Sequence, residues 1–424
     1  MKCAVIGAGY AGMAAAAELT RAGCPPTVYE SAREPGGRAR RLVMDGRVLD
    51  NGQHILSGAY SELLQLMELV GAPPAELLER LPLTLRIEPD FHLSCATGGK
   101  LALAAGLLRA RGLSLADRWR AAGLVRRLRR ARYRTAATET VQDLLTRDGQ
   151  SGRTIERLWN PLCIAALNTR PAEASAQVFA NVLRDTLDGA GGASDLLLPR
   201  CDLGSLFPRP AVRFVERAGG EVRLGRPVRA LQADGAGWSI DGERFEAVVL
   251  ATPPWVAARL LGGDGRAAEL AVHLRKLRYE PIYTCYLEAQ AQYRLDVPML
   301  GLSAGLLQWV FDRGQLGGPP RVFAAVVSAH GPHEALSLEE FGAQAVRELQ
   351  EALPAAPPFT VLQTIAESRA TLSCTPGLIR PAAATPLPGL FLAGDYVYAD
   401  YPSTLEGAVR SGVAAAHAVR SRPG

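Results

Sequence analysis

An α/β fold built around a parallel sheet is predicted by three features of this sequence. Residues 2–6 form a short apolar segment that runs into Gly7, Gly9 and Gly12, and an Ala-rich helical stretch follows them. Residues 245–251 are a mostly apolar run that ends before two prolines, which is typical of a strand buried on both faces. Residues 389–393 form a similar strand. Together these segments predict a Rossmann-like domain assembled from distant parts of the chain.

The first glycine-rich turn predicts a dinucleotide site. Gly7 permits a tight strand-to-helix turn, Gly9 lets the backbone approach a pyrophosphate, and Gly12 lets the helix pack closely on the strand. The next strand-like run, residues 27–29, ends in Glu30, whose carboxylate can accept hydrogen bonds from both ribose hydroxyls of an adenosine. A surface glutamate at a strand end is the alternative interpretation of Glu30.

Two later segments are predicted to contact the same cofactor. Gly36, Gly37 and Arg38 form a turn in which the paired glycines bring the backbone near a ligand and Arg38 can neutralise a pyrophosphate, although a basic hairpin turn is the simpler alternative. Residues 50–54 continue toward the reactive ring through Gly52 and His54. Val228, at the start of a strand-like segment, is also predicted to contact the cofactor.

The C-terminal strand ends in a pattern that favours a flavin. Gly394 is followed by Asp395, whose carboxylate can hold ribityl or pyrophosphate-linked hydroxyls. A helix is predicted to open at Glu406, Gly407 and Ala408. Its N–H groups and positive dipole end would face the flavin pyrimidine carbonyls, which gain negative charge on reduction.

The rest of the chain predicts an inserted α+β domain. The helices expected in its first part span residues 61–70, 74–80, 107–134, 141–147, 154–167 and 174–187. Short strands at 221–224, 228–232 and 238–241 indicate a return to the cofactor domain, and a second insertion follows with strands at 283–287 and 322–328 and a helix at 338–353. We therefore expect a discontinuous cofactor domain of residues 1–70, 205–260 and 386–424, and a substrate domain of residues 71–204 and 261–385.

Composition limits the class of protein. The chain has 424 residues, of which 48% are hydrophobic, so it can bury a large core. The first strand leaves no room for a secretory signal, and charged residues, Pro or Gly interrupt every apolar stretch before it reaches a membrane-spanning length. The seven cysteines have no metal-ligand spacing, so neither a metal site nor a disulfide is expected. A cytoplasmic protein is predicted, with peripheral membrane contact as an option.

The basic charge is concentrated in residues 107–134. Ten arginines lie between Arg109 and Arg134, interspersed with Leu, Val and Trp at helical spacing. Such a helix can lie on an anionic membrane surface, and a solvated charged face over an ordinary core stripe is an equally weighted alternative. Nucleic-acid binding is not expected, because no aromatic platform accompanies the charge.

The glycine turn, Glu30, the Gly-Gly-Arg turn and residues 394–412 resemble the FAD-dependent amine oxidase and phytoene desaturase superfamily. The resemblance covers the whole chain and implies FAD, bound noncovalently, in a glutathione-reductase-like domain. Cys374 lies where some amine oxidases tether FAD, but its neighbours do not match that site. Residues 158–169, 174–179, 369–371 and 401–408 are similar to the hydroxysqualene dehydroxylases of bacterial hopanoid synthesis, with departures at Arg170 and at residues 396–398.

That resemblance implies a long apolar isoprenoid alcohol as substrate and hydride transfer from reduced flavin to an allylic cation. Aromatic faces could stabilise such a cation, and the predicted substrate-cavity residues are Trp159, Asn168, Tyr283 and Trp309. Core packing is the simpler interpretation of the three aromatic residues. Departure of the hydroxyl needs an acid, for which the candidates are His54, Asp185 and Tyr286. The sequence does not choose among these three, and it does not identify the electron donor.

Three other functions fit the sequence less well. A carotenoid-type desaturase shares the cofactor, fold and apolar substrate but uses oxidised flavin, and sequence alone does not show the redox direction. A noncatalytic prenyl-lipid escort would carry degenerate cofactor motifs, whereas here every motif glycine is present together with Glu30 and Asp395. A soluble amine oxidase is disfavoured because its aromatic cage has no clear match.

Overall fold

The computed structural model describes residues 1–95 and 102–421 of the chain. Within these ranges the strands are β1 Cys3–Ile6, β2 Thr27–Tyr29, β3 Arg41–Met44, β4 Arg47–Asp50, β5 Leu56–Ser57, β6 Leu78–Leu81, β7 Thr84–Glu88, β8 Phe91–Ser94, β9 Leu196–Pro199, β10 Glu221–Arg223, β11 Leu231–Asp234, β12 Gly237–Ile240, β13 Glu243–Phe245, β14 Ala247–Leu250, β15 Tyr279–Ala289, β16 Met299–Leu302, β17 Trp309–Asp312, β18 Val322–Ser328, β19 Phe359–Leu372 and β20 Leu390–Leu392.

The α-helices are α1 Tyr10–Arg21, α2 Ser61–Leu69, α3 Pro74–Leu77, α4 Ala102–Arg109, α5 Leu115–Arg130, α6 Val141–Arg147, α7 Gly152–Thr154, α8 Asn160–Leu167, α9 Ala176–Asp188, α10 Leu203–Leu206, α11 Pro208–Arg217, α12 Pro254–Leu261, α13 Ala268–Arg275, α14 Leu338–Ala352 and α15 Leu405–Arg420. A π-helical segment, Ile155–Trp159, joins α7 to α8. Within the described ranges, none of the helices combines the length and the hydrophobicity needed to span a bilayer.

A parallel sheet forms the base of the cofactor region, as the sequence predicts. Its strand order is β10-β2-β1-β14-β20, so the two ends of the chain lie in one sheet. Val5 pairs with Val249, and Val249 pairs with Phe391. Every residue of β1, β14 and β20 is buried, because helices cover one face and a β-meander with α12 and α13 covers the other.

Helices α1 and α15 cross one another on this sheet at very close range. The contact is possible because both helices present small residues there, including Ala14 and Ala15 on α1. A Cβ added to Gly412 would lie 2.1 Å from the carbonyl oxygen of Ala11. The small side chains of α1 therefore allow α15 to approach it closely.

A mixed sheet with order β19-β15-β18-β17-β16-β7-β8 forms the second layer. Its strands pair antiparallel except for β16 with β7. One face packs on a core that includes Trp159, Phe179 and Trp309, and the other packs on α14. The expected domain boundaries stay a prediction, and residues 96–101 and 422–424 of those domains lie outside the described residues.

The prediction that residues 60–200 are mainly helical is wrong in part. The helix expected at 74–80 ends at Leu77, and β6 follows it to pair with β9. Strands β7 and β8 were also missed, although Leu85 and Ile87 are buried while their neighbours are not, which is the two-residue period of a strand. Strand β6 is completed by β9, which lies more than a hundred residues later, whereas β7 and β8 pair with each other as a hairpin whose alternation the helical prediction overlooked.

The single helix predicted over 107–134 is two helices. Gly112 interrupts it with φ +83°, where an added Cβ would lie 2.6 Å from the carbonyl oxygen of Asp90. Ser114 then caps α5 by accepting a hydrogen bond from the Asp117 N–H. Similarly, the strand predicted at 228–232 begins only at Leu231, so Val228 lies in a loop.

Candidate functional site

A cavity of about 470 Å³ lies where the two chain ends meet in the parallel sheet. It is lined by most of the residues predicted to bind a cofactor: Gly7, Gly9, Glu30, Gly37, Arg38, Gly52, Val228, Gly394, Asp395 and Ala408. The carboxyl ends of β1, β2, β14 and β20 all open onto it, which is where ligands bind in open parallel sheets. The structure thus brings together residues that are up to about four hundred positions apart.

The first glycine turn has the geometry that its sequence predicts. Gly7 has φ +108°, and a Cβ there would lie 2.5 Å from the carbonyl oxygen of Ala251. Gly12 does not line the cavity, but a Cβ on it would lie 1.8 Å from the carbonyl oxygen of Gly7. These two glycines allow α1 to start directly behind the turn, which points its first N–H groups toward the cavity.

Glu30 is fixed at the end of β2 by backbone donors. Its Oε2 accepts a hydrogen bond of 2.7 Å from the Ala8 N–H, and its Oε1 accepts one of 2.8 Å from the Ala32 N–H. The side chain is almost fully buried yet faces the cavity. The carboxylate is therefore held in one position against the first glycine turn, where it can accept a hydrogen bond from a hydroxyl group of a ligand.

The Gly-Gly-Arg turn lies opposite the first turn. Gly36 and Gly37 have φ +122° and +61°, and the Gly36 N–H donates to the Ala8 carbonyl at 2.8 Å. A Cβ on Gly37 would lie 3.3 Å from the Gly9 Cα, so the two backbones face each other without side chains between them. Such a cradle accommodates a group that needs close backbone approach.

Arg38 joins the two ends of the chain across the cavity. Its guanidinium forms an ion pair with Asp395 and donates a hydrogen bond of 2.8 Å to the Ala370 carbonyl. Gly394, with φ +154°, donates its N–H to the Ser411 Oγ at 2.8 Å, which ties the end of β20 to α15. The cation and the carboxylate are consequently set side by side at the wall of the cavity.

Three predicted cofactor residues have other roles in this geometry. Gly12 serves helix packing, as described above. Glu406 and Gly407 do not line the cavity, whose lining at the start of α15 is formed by Thr404, Leu405 and Ala408. Glu406 is completely buried and accepts hydrogen bonds from the N–H groups of Glu62 and Leu63 at 3.1 and 2.9 Å. It therefore caps the N-terminus of α2 from another helix.

His54 lines the cavity at the end of the segment that starts with Asp50. Its Nδ1 donates to the Gly52 carbonyl at 3.0 Å, which leaves Nε2 as a hydrogen-bond acceptor in the neutral ring. Burial lowers the pKa of His54 below its ordinary value, and the nearby positive charge of Arg38 lowers it further. A neutral imidazole that already donates its proton to Gly52 is poorly suited to be the acid.

We expect His54 to remain uncharged at a pH of about 6.5, at which an ordinary histidine is half protonated. NMR titration of carbon-13-labelled histidine, assigned with a His54→Gln variant, measures this directly. Because the unfolded chain takes up the proton first, the wild type should lose stability relative to His54→Gln as pH falls from about 7 to about 5. A titration midpoint for His54 at or above that of a free histidine would contradict the buried position of its side chain.

The segment that carries His54 is anchored by a buried ion pair. Asp50 lies 3.4 Å from Arg313, with both side chains almost fully buried, and its Oδ1 accepts from the Leu203 N–H at 2.8 Å. Burial raises the pKa of Asp50 to about 6. The Tyr286 hydroxyl donates to the Asp50 carbonyl at 2.9 Å, so this predicted acid supports the segment from behind and lines neither cavity.

A second cavity of about 160 Å³ adjoins the first, and Thr404 lines both. Its walls are almost entirely apolar, and they include Leu85, Leu107, Leu158, Phe179, Leu183 and Met299. The predicted substrate-cavity residues Trp159 and Trp309 both line it. Tyr60 and Tyr401 are among its few lining residues that carry a polar group, and burial raises the pKa of each tyrosine well above its ordinary range.

The other predicted substrate and acid residues lie elsewhere. Asn168 donates to the Thr371 hydroxyl at 2.8 Å and the Pro281 carbonyl at 3.3 Å, so it holds a wall residue of the cofactor cavity from outside. Tyr283 packs against His333 and Phe341 on the α14 side of the mixed sheet. Asp185 forms an ion pair with Arg184 and lines neither cavity.

Several lining residues were not predicted from the sequence. Asn51 lies within the predicted segment 50–54, but Thr252, Glu367, Thr371 and Tyr396 also line the cofactor cavity, and Tyr60 and Tyr401 line the apolar cavity. Thr371 and Tyr401 fall in segments that carry the family resemblance, so that signal could have found them. The others become neighbours only through tertiary contacts. Across the described residues, no cluster of His, Cys, Asp and Glu side chains could hold a metal ion.

Comparisons with known proteins agree on one family. The family model described as flavin containing amine oxidoreductase matches residues 10–420. A hydroxysqualene dehydroxylase from Sinorhizobium fredii is 30% identical, over 97% of this chain and 96% of that protein. The Rhodopseudomonas palustris protein of the same name is 31% identical over 98% and 97%. A probable zeta-carotene desaturase from Synechococcus elongatus is 25% identical over 99% and 98%.

Solved structures share the fold. An oxidoreductase from Methanosarcina mazei superposes with a TM-score of 0.77 and 19% identity, covering 99% of this chain and 100% of that one. A triple mutant of putrescine oxidase gives a TM-score of 0.71 and 19% identity, covering 100% and 99%. The sequence alignments with the two hydroxysqualene dehydroxylases cover nearly the full length of each protein, so they include the residues that line both cavities.

Proposed function

Because the chain belongs to the flavin containing amine oxidoreductase family, and within it to the hydroxysqualene dehydroxylases, it is an FAD-dependent oxidoreductase, and we propose that it converts hydroxysqualene to squalene. The observation that carries the proposal is the apolar cavity that adjoins the cofactor cavity at Thr404. An apolar chamber of this kind suits part of a long hydrocarbon chain, and its lining among the described residues includes no charged side chain that could hold an amine substrate.

The residues of the larger cavity fit FAD. Buried polar atoms with no partner among the described residues face it, namely Thr252 Oγ1 and the Tyr396 hydroxyl. We propose that Glu30 holds the adenosine ribose, that the Gly9 and Gly37 backbones flank the pyrophosphate, and that Arg38 and Asp395 hold the phosphate and the hydroxyls beyond it. Binding is proposed to be noncovalent, since Cys374 lies outside the cavity lining and packs in the hydrophobic core instead.

The reaction exchanges one group on the substrate. The C–O bond breaks, the hydroxyl leaves as water after gaining a proton, and a new C–H bond forms from hydride. Reduced FAD supplies that hydride when it is bound. The protein's task is to keep water out while the substrate carbon is cationic, because water would return the alcohol. The leucine, methionine and tryptophan walls of the apolar cavity provide this exclusion.

Aromatic side chains line the apolar cavity, through which the cation is proposed to pass. Trp159 is held by donating its Nε1–H to the Gln150 Oε1 at 2.8 Å, and its ring packs edge-on against Phe179. Trp309 lines the same cavity. Tyr60 and Tyr401 keep their protons because burial disfavours the phenolate, so they can donate a hydrogen bond to a departing hydroxyl. We propose these two tyrosines, rather than His54, Asp185 or Tyr286, as the groups that meet the leaving hydroxyl.

The test is to incubate the flavin-loaded protein without oxygen, with reduced FAD and hydroxysqualene, and to analyse the lipids. We expect squalene. A parallel incubation with oxidised FAD and squalene, phytoene or zeta-carotene tests desaturation. Absence of squalene from the first mixture, with a conjugated polyene in the second, would replace this proposal with a desaturase. Protein purified without flavin, and unable to bind it, would favour a noncatalytic lipid carrier.

Filling the apolar cavity should block turnover and spare the cofactor. Ala166 lines this cavity on α8, so Ala166→Trp places an indole where the substrate chain is proposed to lie. We expect kcat/KM for hydroxysqualene to fall on the order of a hundredfold, because the reacting carbon can no longer reach its position. The bound-flavin absorbance spectrum should be unchanged. Ala166→Ser is the control, and equal activity in the two variants would remove this cavity from the substrate path.

A further inference from the structure

An apolar patch is exposed at the junction of α4 and α5. Leu115 and Trp119 are one turn apart at the start of α5, and their exposed fractions are 68% and 66%. Leu108, in the last turn of α4, is 42% exposed beside them. The chain has five tryptophans, and Trp119 is the one that is largely exposed. Large apolar side chains in one exposed group indicate a contact surface.

The patch is held rigidly. Arg118 donates hydrogen bonds to the carbonyl groups of Leu108 at 2.7 Å and Leu113 at 3.1 Å, which fixes the end of α4 against the start of α5. The opposite face of α5 packs into the protein core through Ala121, Leu124, Val125 and Leu128. The exposed side chains are therefore not needed to seat the helix.

Arginines without an ion-pair partner among the described residues lie on the same face of α5 as Leu115 and Trp119. Positions 115, 119, 126 and 130 fall within about 60° of arc on an α-helix, so Arg126 and Arg130 follow Trp119 on one face. Other arginines of α5 are neutralised, since Arg120, Arg127 and Arg129 pair with Asp117, Asp148 and Asp188. Arg126, Arg130 and the nearby Arg109 form no ion pair within residues 1–95 and 102–421. Their charges remain available to an outside partner.

We infer that this surface, defined by Leu108, Leu115, Trp119, Arg126 and Arg130, docks on an anionic lipid bilayer. Tryptophan prefers the boundary between headgroups and acyl chains, leucines insert below it, and guanidinium groups bind lipid phosphates. An acidic protein or a nucleic acid would match the arginines but not the insertion of three large apolar side chains. The combination of the two therefore selects a lipid surface.

The surface also lies on the outer wall of the apolar cavity. Leu107 lines that cavity, and the next residue, Leu108, belongs to the exposed patch. Docking would therefore place the cavity directly beside the acyl layer, in which a long isoprenoid dissolves. This role in substrate delivery rests on the proposed function, whereas the binding to lipid does not.

The test measures binding of the flavin-loaded protein to vesicles that contain no substrate. Vesicles of phosphatidylglycerol are compared with vesicles of phosphatidylcholine by sedimentation and by tryptophan emission. We expect at least tenfold stronger binding to phosphatidylglycerol and a blue shift of the emission. The shift should disappear in Trp119→Phe, since the four other tryptophans lie within the fold.

Two paired variants locate the surface. Leu115→Ser with Trp119→Ser, and Arg126→Glu with Arg130→Glu, should each reduce binding at least tenfold. Arg213→Glu with Arg217→Glu on α11 is the matched control, because it makes the same charge change at the same spacing on exposed residues elsewhere. Circular dichroism and flavin content report whether each variant folds.

Several results would overturn the inference. These are absence of binding to phosphatidylglycerol, equal loss of binding in the α11 control, and unchanged binding in both patch variants. Binding of the patch to a soluble acidic polymer such as polyglutamate, without binding to vesicles, would assign it to an acidic macromolecule instead. Because no substrate is present, these outcomes are separate from success or failure of the dehydroxylation assay.

Discussion

Replacing Gly12 with alanine is expected to prevent the protein from holding its cofactor and to destabilise the fold by about 3 kcal/mol. The added Cβ would lie 1.8 Å from the carbonyl oxygen of Gly7 and 3.1 Å from the Ala251 Cβ. Neither neighbour is the end of a flexible side chain. Helix α1 must therefore move away from β1, and the turn that borders the cofactor cavity moves with it.

The measurements are flavin content after purification and the free energy of unfolding in urea. Gly23→Ala is the control, since Gly23 has φ +78° and no atom within 4 Å of an added Cβ. That variant should lose only about 1 to 2 kcal/mol, the cost of the left-handed backbone conformation, and should retain its flavin. If Gly12→Ala matched the wild type in both measurements, the close approach of α1 to Gly7 would be incorrect.

Replacing Glu406 with alanine is expected to cost about 3 kcal/mol or more in stability. Glu406 is fully buried, pairs with Arg410 at 2.7 Å, and caps α2 through two N–H groups. Truncation leaves both donors and the guanidinium without this acceptor. Because α2 has no side-chain cap of its own, its first turn should loosen, and Tyr60 at the wall of the apolar cavity lies immediately before it.

This variant separates the predicted role of Glu406 in cofactor binding from the capping role. A capping role predicts loss of stability first, with flavin retained under conditions where the variant is folded. Chemical unfolding followed by circular dichroism, together with flavin content before the transition, measures both quantities. Glu68→Ala changes an exposed carboxylate on the same α2 helix and should alter stability by less than about 0.5 kcal/mol. Flavin loss from folded Glu406→Ala would restore the cofactor role.

The elements that sequence predicted well are those with local causes. The turn at Gly7 needs a residue that tolerates positive φ, and β1, β14 and β20 need continuous apolar runs because both faces are covered. Such requirements appear in a few consecutive residues. The residues that line the cofactor cavity were therefore largely predictable, since most belong to these turns and strand ends.

The errors share a different cause. Glu406 accepts hydrogen bonds from the start of α2, more than three hundred residues away, and no local sequence pattern indicates that contact. Tyr286 and Tyr283 are near neighbours on β15, yet one supports Asp50 and the other packs toward α14. Strand β6 likewise pairs with β9, and β7 pairs with β16. Which face a side chain occupies was decided by these distant partners.

The joining of both chain ends in one sheet has a consequence for biosynthesis. During translation β1, α1 and β14 leave the ribosome well before β20 and α15. Until then the edge of β14 that pairs with β20 and the small-residue face of α1 that packs on α15 lack their partners. These surfaces are covered only when residues 390–420 have left the ribosome. The wall of the cofactor cavity that contains Gly394 and Asp395 therefore forms only after β20 has paired with β14.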